Sequence, residues 1–102
     1  MKRRQGGGHG PKYGKKVDAN QLEIVQALEA IGCDVLELGW PLDLLVGYRM
    51  RNILIEIKDP AKALSERQLT DWQKEFFREW RGQRGKAETV DEAIKIVTGV
   101  HQ

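Results

Sequence analysis

Apolar residues recur at every second position within the stretch from Pro41 to Lys58, at Leu42, Leu44 and Val46 and again at Ile53, Ile55 and Ile57, as is typical of β-strands with one buried face. One alternating run covers residues 42–46 and a second covers residues 53–58, and the polar residues 49–52 separate them. The pattern predicts two short strands joined by a tight turn near Met50. This β-hairpin is the centre of the predicted fold.

The predicted pairing of the two strands places Asp43 opposite Glu56 or Lys58. Cross-strand neighbours lie about 5 Å apart, so two carboxylates and an ammonium would share one patch of sheet within an apolar run. Such a patch is costly unless it binds something, and a hard divalent cation is the natural ligand. The alternative is a surface hairpin whose charged side chains face water.

Helical periodicity before and after the hairpin predicts three helices. The first spans residues 17–31, with Asp18 or Asn20 as its cap and an apolar stripe formed by Leu22, Val25, Ala27, Leu28 and Ile31. The second runs from about Thr70 to Trp80 and is expected to add its aromatic residues to the core. The third opens with a capping box at residues 89–92.

Two further strands are predicted, at residues 33–38 and 83–88. The order is then α-β-β-β-α-β-α, and a helix between two strands implies a parallel crossover. The fold class is α/β, with a small mixed sheet flanked by helices.

Charge is distributed unevenly along the 102 residues. Residues 1–16 contain six basic residues and no acid, so this segment carries a charge of +6. The whole chain carries +2, so the remainder carries −4. We expect residues 1–16 to form a disordered, Gly-rich arm that binds nucleic acid, residues 17–98 to form one domain, and residues 99–102 to be a tail. A solubilising tail is the alternative for the arm, whose basic residues are Lys2, Arg3, Arg4, Lys12, Lys15 and Lys16.

Membrane insertion and disulfide formation are not expected from this sequence. No apolar run approaches the ~18 residues that a membrane span needs, and Cys33 is the only cysteine. We expect a buried, unreactive thiol and a protein of the reducing cytoplasm.

Two more polar residues are candidates for a site, each with a structural alternative. Glu23 lies beside the apolar stripe of the first helix, where it could simply stabilise the helix dipole. Gln73 lies on the inner side of the second helix, where it could form a capping box with Thr70.

Taken together, these residues resemble the PD-(D/E)XK nuclease superfamily, and within it the small stand-alone VRR-NUC domains of phages and bacteria. The resemblance covers residues 17–97 and rests on an ordered set of motifs: VDANQLEIVQAL, PLDLLVGYRMRN, ILIEIKD, LTDWQ, and WRGQ followed by TVDEAIKIV. The sequence departs from the usual pattern in having Leu42 between Pro41 and Asp43. It also has the polar Arg84-Gly85-Lys86 where the last strand is usually apolar.

The resemblance implies a restriction-endonuclease-like fold and Mg²⁺-dependent cleavage of phosphodiester bonds, with Mn²⁺ able to substitute. It assigns Asp43, Glu56 and the backbone carbonyl of Ile57 as metal ligands, and Glu23 as an additional acid that contacts the metal directly or through water. Lys58 would position or polarise the attacking water. Gln73 would be the family glutamine, with Gln68 as the runner-up.

Small members of this family further imply a homodimer that cuts branched DNA, in the manner of a Holliday-junction resolvase in phage-type replication, recombination or repair. Two alternatives remain open from the sequence. One is a catalytically silent nucleic-acid-binding or assembly module, and the other is a nuclease that acts on RNA.

Overall fold

The computed structural model of the protein describes residues 17–99. The elements follow the order α1 (Gln21–Ala30), β1 (Asp34–Glu37), β2 (Leu44–Tyr48), β3 (Arg51–Ile57), a short 3₁₀-helix (Leu64–Arg67), α2 (Asp71–Glu79), β4 (Gln83–Ala87) and α3 (Val90–Thr98). The predicted α/β class, with a small mixed sheet flanked by helices, is confirmed. The arm at residues 1–16, with its predicted nucleic-acid-binding residues, and the tail beyond Gly99 lie outside the described residues.

The sheet has four strands in the order β1-β2-β3-β4. The first three strands form an antiparallel meander, and β4 pairs parallel with β3. Since α2 lies between β3 and β4 in the chain, it is part of the crossover that the parallel pair requires. The carboxyl ends of β3 and β4 therefore lie side by side.

The predicted hairpin is present, and its turn consists of Arg49 and Met50. Both residues have positive φ, at 52° and 69°, as a two-residue type I′ turn requires. The turn sets a register in which Leu44 pairs with Ile55 and Tyr48 with Arg51. This register decides which side chains of β3 face the core.

The hydrophobic core lies between one face of the sheet and the two helices α1 and α3. Ile53, Ile55 and Ile57 of β3 all point into it and are at most 1% exposed. They pack with residues of α1 and α3, including Leu28 and Val97. The alternate positions of β3 project from the opposite face of the sheet.

The first helix is shorter than predicted, and its predicted stripe is partly wrong. It begins at Gln21, and its buried residues are Gln21, Ile24, Val25 and Leu28. Leu22 and Ile31 are exposed. Asn20 occupies the N-cap position, but neither its side chain nor that of Asp18 caps the helix. The segment before the helix forms a turn, in which the Gln21 amide donates to the Asp18 carbonyl at 3.0 Å. Asn20 donates from its side chain to the carbonyls of Lys58 and Glu88.

The prediction that the aromatic residues of α2 enter the core is wrong. Trp72 and Trp80 are about half exposed, and Gln73 is the buried residue of this helix. Trp72, Phe76 and Trp80 instead stack on one another with ring centroids 5.6 and 5.2 Å apart, and Trp40 packs against Trp72. Because α1 and α3 already cover the apolar face of the sheet, no space is left there for α2.

The strand β4 forms although its sequence is poor in β-formers. Gly85 pairs with Ile55, and a Cβ atom at Gly85 would lie 2.8 Å from the Cδ1 of Ile96. The missing side chain thus lets α3 pack closely on the sheet. At the start of α3, Thr89 accepts from the Glu92 amide, but Glu92 accepts from the Glu88 amide instead of completing the predicted capping box.

Within residues 17–99, no helix is long and apolar enough to cross a membrane.

Candidate active site

Three charged side chains are buried together at the carboxyl end of β3, on the face opposite the core. Asp43 is 4% exposed, Glu56 2% and Lys58 9%. Charged residues are rarely this buried unless they are paired or bind a ligand. The burial excludes the surface hairpin that the sequence left open as an alternative.

Asp43 lies immediately before β2 and is held against the end of β3. Its Oδ2 accepts a hydrogen bond of 2.8 Å from the backbone amide of Ile57. One step beyond the Leu44–Ile55 pair, the register sets Asp43 opposite Glu56, as predicted. The amide and carbonyl of a strand residue point to the same side, so we expect the Ile57 carbonyl to face Asp43 as well.

Lys58 lies between Glu56 and the helix α2. Its Nζ lies 3.4 Å from Glu56 Oε2 and donates a 3.0 Å hydrogen bond to Gln73 Oε1. The ammonium therefore has one carboxylate and one amide oxygen as partners. Since only 11% of its side chain is exposed, it is fixed in place and not free to sample solvent.

Gln73 forms the predicted capping box of α2, and its side chain also contacts Lys58. Thr70 Oγ1 accepts from the Gln73 amide, and Gln73 Oε1 accepts from the Thr70 amide, at 3.1 and 3.0 Å. The capping box thereby fixes the position of the oxygen that accepts the hydrogen bond from Lys58. Gln68 is exposed and donates to the Leu64 carbonyl, so the geometry favours Gln73 over Gln68.

A cleft of about 260 Å³ opens onto Glu56, Lys58 and Gln73, and Asp43 lies behind its lining residues, against Ile57. Its walls come from the end of β3, the following loop, the 3₁₀-helix, the start of α2 and the segment before α1; the lining residues are Asp18, Glu56, Ile57, Lys58, Asp59, Lys62, Glu66, Thr70 and Gln73. Crevices at the carboxyl ends of strands are the usual ligand sites of α/β sheets.

The structure does not bring Glu23 into this cleft. Glu23 is exposed on α1 and is absent from the cleft walls. The acid that the N-terminal segment contributes there is Asp18, whose Oδ1 lies 3.6 Å from Lys62 Nζ. From the sequence, Asp18 is a candidate only for a helix cap, because no motif distinguishes that role from a place in the cleft wall.

The oxygen donors at this site fit Mg²⁺ better than a metal ion that takes all of its ligands from the protein. Within residues 17–99 there is no group of three or more His, Cys, Asp and Glu placed to hold one metal ion. Mg²⁺ commonly uses one or two carboxylates and keeps several waters. Asp43, Glu56 and the Ile57 carbonyl supply such a set of hard oxygen donors, whereas zinc would need His or Cys ligands.

Cys33 has no part in the site. It is buried in the core beside Val35, and burial, with a smaller contribution from the Asp34 carboxylate, raises the pKa of its thiol. A neutral, buried thiol is a poor nucleophile.

Comparisons with protein-family models, curated proteins and solved structures return no match for this chain.

Proposed function

We propose that this protein is a Mg²⁺-dependent nuclease of the PD-(D/E)XK superfamily, of the VRR-NUC type. The observation that carries the proposal is the buried cluster of Asp43, Glu56 and Lys58 at the end of β3, of which Glu56 and Lys58 line a cleft. An acidic pair from adjacent strands, with a lysine two positions after the second acid, is the arrangement that the motif resemblance predicts.

The charges of the cluster suit a cation and a phosphate together. With both carboxyls ionised, Asp43, Glu56 and Lys58 carry a net charge of −1, so a bound divalent cation would change the net charge to +1. The cleft would then attract a phosphodiester. The surrounding protein lowers the local dielectric, which strengthens both interactions relative to water.

The reaction is hydrolysis, in which a water oxygen bonds to phosphorus while one P–O ester bond breaks, giving a phosphate monoester and a hydroxyl. A bound Mg²⁺ would acidify the attacking water and offset charge on the phosphate oxygens. Asp43 and Glu56 would hold the ion, and the Ile57 carbonyl would be a third oxygen donor.

Lys58 would place a fixed positive charge where negative charge develops on the phosphate in the transition state. Its contact with Gln73 Oε1 at 3.0 Å keeps the ammonium directed at the cleft without neutralising it, because an amide oxygen is uncharged. Gln73 thus orients Lys58, and the Thr70 capping box orients Gln73.

The substrate class we propose is branched DNA, cut by a homodimer that presents two sites to two strands. The test compares a four-way junction, a fork, a flap, linear duplex and single-stranded DNA, and an RNA of matched sequence, with Mg²⁺, Mn²⁺ or EDTA. Paired symmetric cuts in the junction support the dimeric enzyme. Metal-dependent cutting of forks or flaps alone retains the nuclease and changes its substrate, and cutting of RNA alone moves it to the RNA-directed class.

The alternative, a silent binding or assembly module, makes a different prediction about metal. A nuclease site that binds Mn²⁺ raises the melting temperature as the ion concentration rises, and Glu56→Gln reduces this shift. A module with a degenerate site shows no change in melting temperature with Mn²⁺, or the same change in wild type and in Glu56→Gln.

A further inference from the structure

Asn20 occupies the N-cap position of α1 but does not act as its cap. An asparagine there normally accepts a hydrogen bond from a backbone amide of the first helical turn, and no such bond is present. Instead, the side-chain Nδ2 donates to the carbonyl of Lys58 at 3.1 Å and to the carbonyl of Glu88 at 2.9 Å. These partners lie 38 and 68 residues away in the chain.

The two carbonyls belong to the residues that directly follow β3 and β4. The strands are parallel neighbours, and the Lys58 amide donates to the Ala87 carbonyl at 3.0 Å. The single amide group of Asn20 therefore joins the carboxyl ends of both strands to the start of α1. Both N–H groups of the amide are used, so the contact fixes position as well as distance.

The Lys58 carbonyl belongs to the peptide that leads into Asp59, and both residues line the cleft. A translation of that peptide would displace the Cα of Lys58 and with it the ammonium that contacts Glu56 and Gln73. A displacement of about 1 Å in a reacting group can cost on the order of 100-fold in rate.

We infer that Asn20 is a positioning residue, which holds the Lys58–Asp59 peptide and thereby sets the location of the Lys58 ammonium in the cleft. Asn20 does not touch the substrate; it acts through the backbone of Lys58. The inference rests on the proposed nuclease function for its kinetic consequence, whereas its structural part can be measured independently.

The test compares Asn20→Asp with Asn52→Asp. The first replaces two donors by carboxylate oxygens that face two carbonyl oxygens, which is unfavourable. The second makes the same chemical change at an exposed position near the hairpin turn, at the opposite end of β3. Asn20→Ala, which removes the donors without adding charge, is measured beside them.

We expect Asn20→Asp to lower kcat on the preferred DNA by at least about tenfold while KM changes by less than about threefold, because the loss is in the transition state. Asn20→Ala is also expected to lower kcat with little change in KM. Asn52→Asp is expected to leave kcat unchanged. The rates are taken in the cold, where circular dichroism shows the variants to be folded.

NMR spectra supply the readout that does not depend on cleavage. We expect the backbone amide of Asp59 and the side-chain amide of Gln73 to shift in both Asn20 variants and to stay in place in Asn52→Asp. If the wild type does not cleave any nucleic acid, the proposed function fails, and these resonances still decide the role of Asn20.

Either of two results would overturn the inference. One is a lower melting temperature with unchanged kcat and unchanged Gln73 and Asp59 resonances, which would make Asn20 a purely structural residue. The other is that neither Asn20 variant folds even in the cold, which would mean that its bonds stabilise the whole domain and are not specific to Lys58.

Discussion

At the scale of single residues, burial and position relative to the cleft distinguish the four candidate acids. Asp43 and Glu56 are buried beside Lys58, and Glu56 lines the cleft. Asp18 also lies at the wall of the cleft, whereas Glu23 is exposed on α1 and does not line it. The motif resemblance selects Glu23, and the geometry favours Asp18. The two assignments predict opposite results for a matched pair of variants.

We expect Glu23→Gln to keep the cleavage rate within about twofold, as exposed charges far from a site contribute little. Asp18→Asn removes a negative charge from the cleft wall and should raise the Mg²⁺ concentration needed for the half-maximal rate. A Mg²⁺ titration of both variants measures this. Loss of activity in Glu23→Gln with a normal Asp18→Asn would restore the assignment from the resemblance.

Cys33 is expected to react slowly with a thiol reagent such as DTNB in the folded protein, because burial raises the pKa of its thiol. In the unfolded chain the thiol ionises at about pH 8.5. Unfolding therefore releases a proton above that pH, and the Cys33 contribution to the free energy of unfolding should fall as pH rises. Urea titrations of wild type and Cys33→Ala between neutral and alkaline pH measure the difference; equal pH dependence would contradict the assignment.

At the scale of elements, the close approach of α3 to β4 depends on Gly85. Gly85→Ala would place Cβ 2.8 Å from Ile96 Cδ1, so we expect it to lower the free energy of unfolding by about 1–3 kcal/mol. Ile96→Val should recover part of this loss, because it removes the nearest atom. Urea denaturation of the single and double variants gives the coupling energy, and simple additivity would argue against the contact.

The helices and strands also show which features of the fold can be predicted from sequence patterns. The hairpin was predictable because alternation of apolar residues specifies both the strands and the faces they bury. The aromatic stripe of α2 was not, because periodicity identifies an apolar face without indicating what covers it, and here Trp72, Phe76 and Trp80 stack on one another. The role of Asn20 was not predictable either, since its partners come from distant parts of the chain.

At the scale of the whole molecule, the charge of the chain is divided between residues 1–16 and the rest. Deleting residues 1–16 should weaken DNA binding and reduce the slope of log K against log salt by up to about 5, for six phosphate contacts. A variant in which the six Lys and Arg residues are replaced by Gln keeps the length of the segment. It should show the same weaker DNA binding and the same smaller salt slope as the deletion. An unchanged salt slope in both would limit the segment to a solubilising role.

We propose above that the cluster at the end of β3 hydrolyses phosphodiesters with a metal ion. The direct measurement is single-turnover cleavage of a pool of four-way, forked and flap DNA by wild type, Glu56→Gln and Glu66→Gln. Glu66 lines the same cleft but is exposed, so it controls for loss of charge alone.

We expect wild type to cut with Mg²⁺ and not with EDTA, and Glu66→Gln to cut at a rate within about threefold of wild type, because an exposed charge contributes little. Glu56→Gln should lose at least about 100-fold in rate, since a metal ligand is missing, while still binding the DNA. Equal cutting by Glu56→Gln and wild type, or no metal-dependent cutting of any DNA in the pool, would contradict this proposal.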